Sequence, residues 1–141
     1  MSLAITRTTI SSEAVSRLLA GAVEASQSAG LAMCIAVTDE SGVLKGFTRM
    51  DDAPLLSVDL AIDKAYTAAA FKMPTHAWFD FIKNDPPLLH GIVKTPRLIV
   101  FGGGYPVTIE EAIVGAIGVS GGHYSQDMKV AEAALAALRG G

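Results

Sequence analysis

The segment from Arg97 to His123 constrains the fold more than any other part of this chain, because glycines divide it into apolar runs. The runs Leu98–Phe101 and Ala112–Val119 are rich in β-branched and aromatic residues, which is typical of buried strands. Tyr105–Ile109 fits a third strand between them, at an edge or strand end because its proline cannot donate to a ladder. The segment therefore predicts three consecutive strands.

Glycine clusters flank these strands, at Gly102–Gly104 and in Ser120-Gly121-Gly122. One interpretation is tight turns and close packing of a helix on the sheet. The other is a ligand cradle of backbone N–H groups, with Gly103, Gly104, Ser120 and Gly121 as candidate ligand-binding residues. The first cluster leads into a strand, whereas a dinucleotide fingerprint needs its third glycine to open a helix. Nucleotide binding is therefore not predicted.

The rest of the chain alternates helical and strand periodicity. In chain order it predicts a helix Ser12–Ala29 capped by Ser11, strands Leu31–Thr38 and Val43–Met50, a helix capped by Ser57 and ended by Pro74, a short helix Thr75–Lys83, an irregular stretch Asn84–Thr95, and a last helix capped near Ser125. Short links within each strand group require antiparallel pairing. We therefore expect one α+β domain over residues 1–141, with a five-stranded antiparallel sheet, packed helices and the order α-β-β-α-α-β-β-β-α.

Composition limits the partners. The net charge is −3 and no basic cluster occurs, which argues against nucleic acid and anionic membrane surfaces. Half of the residues are apolar, many of them alanine, which indicates closely packed helices and surface buried in a homo-oligomer. Neither a membrane-spanning run nor a secretory h-region is found, so a cytoplasmic protein is expected. The single cysteine, Cys34, lies in an apolar run and is expected to be a buried, inert thiol.

Three blocks of sequence follow one another in a recognisable order. They are DKAYTAAAFKMPT (Asp63–Thr75), GGGYPV (Gly102–Val107) and GAIGVSGG (Gly115–Gly122), with Asp127 behind them. Together they resemble the GlcG/HbpS-like family, which also includes the C-terminal domain of PduO-type proteins. The resemblance implies a profilin-like α+β fold, oligomers, haem binding in some members, and in the GlcG type an association with catabolic pathways. The chain departs from it at Glu110-Glu111, where an Asp-Gly or Glu-Gly turn is expected.

Three histidines, His76, His90 and His123, are candidate haem ligands or general bases. No two share the spacing of a zinc site on a helix, so no metal-ion site is predicted. His76 lies in a segment that could form the wall of a cavity, and His90 lies on a long loop that could act as a lid. His123 stands at a helix entrance, where N–H groups favour an anion. For each one the alternative is an ordinary surface or hydrogen-bonded histidine.

Charged and hydroxyl side chains supply further candidates. Lys64 and Arg49 could hold a ligand carboxylate such as a haem propionate, or they could be solvated flank residues. Thr67 could contribute a hydroxyl. Asp127 lies in the first turn of the last helix, where it complements the helix dipole or faces a pocket.

Three functions are compatible with this sequence. The first is a module that binds haem or another carboxylated small molecule near the glycine-rich loops. The second is a catabolic enzyme acting on a small carboxylic acid by proton transfer, tautomerisation or hydrolysis, with Asp127, Lys64 and a histidine such as His123 as base, clamp and acid. The third is an accessory subunit that serves assembly alone. We rank the binding module first.

Overall fold

Five α-helices and four β-strands form the part of the chain that this computed structural model describes, residues 1–140. They are α1 (Ser12–Ser28), β1 (Cys34–Asp39), β2 (Leu44–Arg49), α2 (Leu56–Phe71), α3 (Ala77–Ile82), α4 (Pro86–Gly91), β3 (Gly104–Ile109), β4 (Ala112–Ser120) and α5 (Tyr124–Gly140), with a 3-10 helix Ile92–Lys94 after α4. The strands form an antiparallel sheet in the order β2-β1-β4-β3. The α+β class is as predicted, and the number of strands is not.

The prediction of a five-stranded sheet is wrong, because Leu98–Phe101 does not join the sheet. Helix α2 holds this stretch instead: Thr67 Oγ1 donates to Arg97 O at 2.9 Å and accepts from Ile99 N at 3.1 Å. The backbone also turns at Arg97, which has a φ of 70°. A side chain of the neighbouring helix thus satisfies main-chain groups that a ladder would otherwise pair.

Helices α4 and α2 begin differently from the prediction. The stretch expected to be irregular contains α4, which begins with two prolines and is capped by Asp85. Prolines at the first helical positions are compatible with a helix, because the N–H groups there have no intrahelical partner. Helix α2 begins without a side-chain cap, since Ser57 lies inside it and donates to Cys34 Sγ at 3.2 Å. Cys34 is fully buried, as predicted.

Helices cover both faces of the sheet, and strand β1 shows why. Its larger side chains, Ile35 and Val37, pack in one core with α1 and α5. Its small ones, Cys34 and Ala36, pack against α2 on the other face. Larger and smaller apolar residues thus face opposite sides of this strand, and the small-residue face allows α2 to approach closely.

The hairpin turn between β3 and β4 is a site where one substitution should stabilise the protein. Glu110 and Glu111 connect paired residues and have φ values of 49° and 69°. Two positive φ angles are typical of a type I′ turn, which favours glycine at its second position. Because a left-handed conformation costs a non-glycine residue about 1–2 kcal/mol, we expect Glu111→Gly to raise the free energy of unfolding by roughly 1 kcal/mol. Urea denaturation measures this change.

The control for this prediction is Glu111→Gln, which removes the same charge and keeps the Cβ atom. It should leave stability within about 0.5 kcal/mol of the wild type, as is usual for surface substitutions. Equal stabilisation by both variants would mean that charge, and not backbone conformation, limits this turn.

Candidate functional site

A buried ion pair joins α2 to α5 at the end of β4. Lys64 Nζ lies 2.8 Å from Asp127 Oδ2, and the two side chains are 0% and 2% exposed. Lys64 also donates to Val119 O at 2.9 Å, while Asp127 Oδ1 accepts from Gly122 N at 3.0 Å. The pair thus links α2 and α5 to the main chain at the C-terminal end of β4.

Burial dominates the electrostatics of this pair. Loss of water lowers the pKa of Lys64 below its ordinary value, against the opposing effect of the Asp127 carboxylate. The same loss raises the pKa of Asp127, against the opposing effects of Lys64 and the Gly122 N–H group. Each charge therefore depends on its partner, and neither side chain is a solvated flank residue.

The glycines around the pair allow close packing. A Cβ atom on Gly103 would lie 2.7 Å from Lys64 Nζ, and one on Gly104 would lie 2.4 Å from Lys64 O. Gly121 has a φ of 145°, and its Cβ atom would lie 2.6 Å from Ala32 O. These contacts give the three glycines a packing role. Their contact with a ligand stays a prediction.

An open cleft of about 460 Å³ lies beside Gly102. Its wall is formed by α3 and the residue before it, by the stretch ahead of β3, and by the first residue of α5, namely His76, Phe79, Asp80, Val100, Phe101, Gly102 and Tyr124. The ring centroid of Phe101 lies 6.4 Å from that of Tyr124 and 5.2 Å from Lys64 Nζ. Phe101 therefore stands between the cleft and the buried ion pair.

The histidines occupy three different environments. His76 lines the cleft, with its ring centroid 5.5 Å from that of Tyr105. His123 precedes α5, where its ring lies 4.1 Å from the ring of the cleft residue Tyr124 and its Nδ1 lies 2.8 Å from Ser125 Oγ. His90 is exposed on α4 and does not line the cleft. His76 therefore lines the cleft, His123 only contacts the wall residue Tyr124, and His90 does neither.

The remaining candidates make main-chain contacts. Arg49 donates to Ala53 O through Nε at 3.2 Å and Nη2 at 2.8 Å, and it borders a different surface cleft. Thr67 holds the stretch before β3, as described above. Ser120 is buried at the end of β4. The structure brings Lys64 and Asp127 together, with the Asp127 N–H group donating to His123 O at 3.0 Å, and it leaves Arg49 elsewhere.

Sequence reasoning missed most of the wall of the cleft. Phe79, Phe101 and Tyr124 are 52%, 40% and 48% exposed, which is unusual for large aromatic side chains. In the sequence they belong to three separate segments, each of which fits an ordinary apolar pattern. The excess of aromatic residues beside His76 in the short helix could have identified Phe79. That signal does not identify the other two segments.

Fold and cleft together define the class: a small α+β domain with helices on both sides of an antiparallel sheet and an open, aromatic-lined cleft at one end. This chain belongs to the HbpS-like family, because the family model described as "Haem degrading protein HbpS-like" matches residues 10–136. The predicted resemblance to the GlcG/HbpS-like family is confirmed.

Individual relatives agree with this assignment. Protein GlcG of Escherichia coli (strain K12) is 34% identical over 115 residues, which cover 82% of this chain and 84% of GlcG. The crystal structure of Klebsiella pneumoniae protein ORFY is similar over 99% of this chain and 97% of its own, with a TM-score of 0.92 and 32% identity. The crystal structure of a complex of PduOC with haem is similar over 92% of this chain and 95% of its own, with a TM-score of 0.85 and 34% identity.

The α-helices are between 6 and 17 residues long. Within residues 1–140, none combines the length and the apolar character that a membrane crossing needs.

Proposed function

We propose that this protein binds haem, or a similarly flat carboxylated molecule, in the cleft between α3 and the start of α5. The observation that supports the proposal is the wall of the cleft, which His76 lines together with Phe79, Phe101 and Tyr124. Aromatic side chains pack against flat rings, and histidine is a common axial ligand of haem iron. The haem complex of the similar PduOC structure supports the same assignment.

The described residues fit such a ligand. The three aromatic side chains are each about half exposed, and a flat ligand would cover this apolar surface. His76 would hold the iron, which supplies the redox and ligand-binding chemistry of haem when it is bound. Lys83 Nζ lies 3.0 Å from Oδ1 of the wall residue Asp80. An exposed lysine can pair with a propionate that stays in contact with water.

Titration with haemin tests the proposal. Wild type should give a saturable shift of the Soret band, and His76→Ala should weaken binding at least about tenfold, since an axial ligand is lost. His90→Ala is the matched control and should bind like the wild type, because His90 is exposed on α4. His123→Ala should have a smaller effect than His76→Ala.

Two results would contradict the proposal. Absence of a saturable Soret shift in the wild type would remove haem as the ligand. An unchanged spectrum in His76→Ala, with the shift lost in His123→Ala, would reject His76 as the iron ligand.

The enzyme hypothesis gains less support. Lys64, Asp127 and His123 are neighbours, but the first two are closed off from water and make hydrogen bonds within the protein. A general base must come within hydrogen-bond reach of its substrate, so α5 would have to move before Asp127 could act. The binding module therefore ranks above the enzyme.

Assembly and location stay predictions. We propose a homo-oligomer, supported by the exposed Phe71 and Phe81 on α2 and α3. Light scattering coupled to gel filtration tests the oligomeric state, and a monomer at micromolar concentration would contradict the proposal.

The cytoplasmic location expected from the sequence also stays a prediction, which cell fractionation tests.

A further inference from the structure

A tyrosine of β3, Tyr105, connects the cleft residue His76 to helix α5. Its ring centroid lies 5.5 Å from that of His76, and the two ring planes meet at 56°. Its hydroxyl donates to Glu132 Oε2 on α5 at 2.5 Å. Tyr105 is 9% exposed and does not line the cleft. It therefore contacts the proposed iron ligand from outside the wall of the cleft.

The main chain fixes His76 beside Tyr105. Thr75, which precedes His76, is paired with Gly104: Thr75 N donates to Gly104 O at 2.9 Å, and Gly104 N donates to Thr75 Oγ1 at 2.9 Å. A Cβ atom on Gly102 would lie 3.4 Å from His76 Cβ, so the base of the His76 side chain also lies close to the stretch before β3. Rotation about its side-chain bonds is the freedom that remains to the imidazole.

Packing against Tyr105 restricts that rotation. The ring of His123 makes hydrogen bonds with Ser125, whereas the ring of His76 makes none within residues 1–140. The Tyr105 ring is therefore the surface that orients the imidazole, and Glu132 holds that ring in turn. Burial, together with the hydrogen bond to Glu132, raises the pKa of Tyr105, so its hydroxyl remains a donor at neutral pH.

We propose that Tyr105, held by Glu132, is a positioning residue that fixes the orientation of the His76 imidazole. Its effect on haem binding rests on the proposed function. A side chain that is already ordered loses less conformational freedom when it binds a ligand, which increases affinity. Two residues that do not line the cleft would thus contribute to the affinity for haem.

Haemin titration in two backgrounds tests this role. Tyr105→Leu keeps an apolar side chain but removes the ring, and it should weaken binding about three- to tenfold, since the imidazole must then be ordered on binding. In His76→Ala the same substitution should change the residual binding by less than about twofold, because a positioning residue acts through the residue that it positions. An equal loss in both backgrounds would mean that Tyr105 only shapes the cleft, and it would overturn the proposal.

Variants of Glu132 test the other end of the contact, and they should fold even if Tyr105→Leu does not, because Glu132 is exposed. Glu132→Ala should weaken haemin binding by about two- to threefold and should add nothing to the loss in Tyr105→Leu. Glu132→Gln keeps an acceptor oxygen and should bind like the wild type. Tyr66→Phe is the matched control, since Tyr66 lies on α2 and does not line the cleft. Wild-type affinity in Glu132→Ala would overturn the role of Glu132.

Nuclear magnetic resonance of the ligand-free protein separates this proposal from haem binding itself. The ring current of Tyr105 should displace the imidazole C–H signals of His76. This displacement should disappear in Tyr105→Leu, while the signals of His90 stay unchanged. If the wild type binds no haemin but these signals behave as expected, the proposed function fails and the positioning role stands. If haemin binds through His76 but Tyr105→Leu leaves either the affinity or the His76 signals unchanged, the positioning role is overturned.

Discussion

Replacing Lys64 by methionine should lower the free energy of unfolding by about 3–5 kcal/mol. The side chain is fully buried and contacts Asp127 Oδ2 at 2.8 Å. Removing one partner of a buried pair leaves an uncompensated charge, which costs far more than the pair itself contributes. Urea denaturation followed by circular dichroism measures the loss.

Two control variants make this prediction specific. The double variant Lys64→Met/Asp127→Asn removes both charges and keeps an acceptor for the Gly122 N–H group. It should recover most of the loss, because a buried pair can be replaced by uncharged groups at little cost. Lys83→Met breaks the exposed pair with Asp80 and should cost about 1 kcal/mol or less. A single Lys64→Met variant as stable as Lys83→Met would contradict the structural role.

The double variant also separates two roles of Lys64. The sequence suggested a cation that holds a ligand carboxylate, whereas the structure places this cation behind Phe101, against a carboxylate of the protein itself. If the pair acts only in stability, the folded double variant should bind haemin like the wild type. If Lys64 contacts the ligand, the double variant should bind more weakly while remaining folded.

Strong, local periodicity made most of the fold predictable. Helix α1 begins after Ser11, which caps Ala14 N at 3.1 Å, and it ends before Gly30, which has a φ of 70°. The apolar residues on both faces of β1 also agree with the helices that cover both of its faces. In these elements the sequence pattern and the tertiary contacts favour the same conformation.

The sheet edge could not be predicted in this way. Leu98–Phe101 has the composition of a strand. A strand must pair with another strand, however, and composition does not identify that partner. Here Thr67, more than thirty positions earlier in the sequence, takes the place of that neighbour. The cleft was missed for the same reason, because its wall combines three segments that only the fold brings together.

The roles of the glycines also could not be predicted from the sequence alone. A turn, a close helix contact and a ligand cradle all require the absence of a side chain. Gly102 and Gly103 are adjacent in sequence, yet the first lines the open cleft while the second packs against Lys64 and Val119. Only the neighbouring atoms distinguish the two cases.

Gly118→Ala should destabilise the protein by roughly 3 kcal/mol or more, or prevent it from accumulating in folded form. A Cβ atom at this position would lie 2.1 Å from Ala61 O and 2.5 Å from Ala65 N, both of them main-chain atoms of α2. No rotamer change relieves such a contact, so the whole helix must move away from the sheet, which is the costly kind of overpacking. Thermal and urea denaturation, together with the soluble yield, measure the effect.

The matched control is Gly91→Ala at the end of α4, where an added Cβ atom would meet no atom within 4 Å. Its stability should stay within about 0.5 kcal/mol of the wild type, as is usual for surface changes. A Gly118→Ala protein as stable as Gly91→Ala would show that α2 can retreat from the sheet at little cost. Close packing of α2 would then not explain why Lys64 stays in contact with Asp127, because a displaced α2 would move Lys64 away from it.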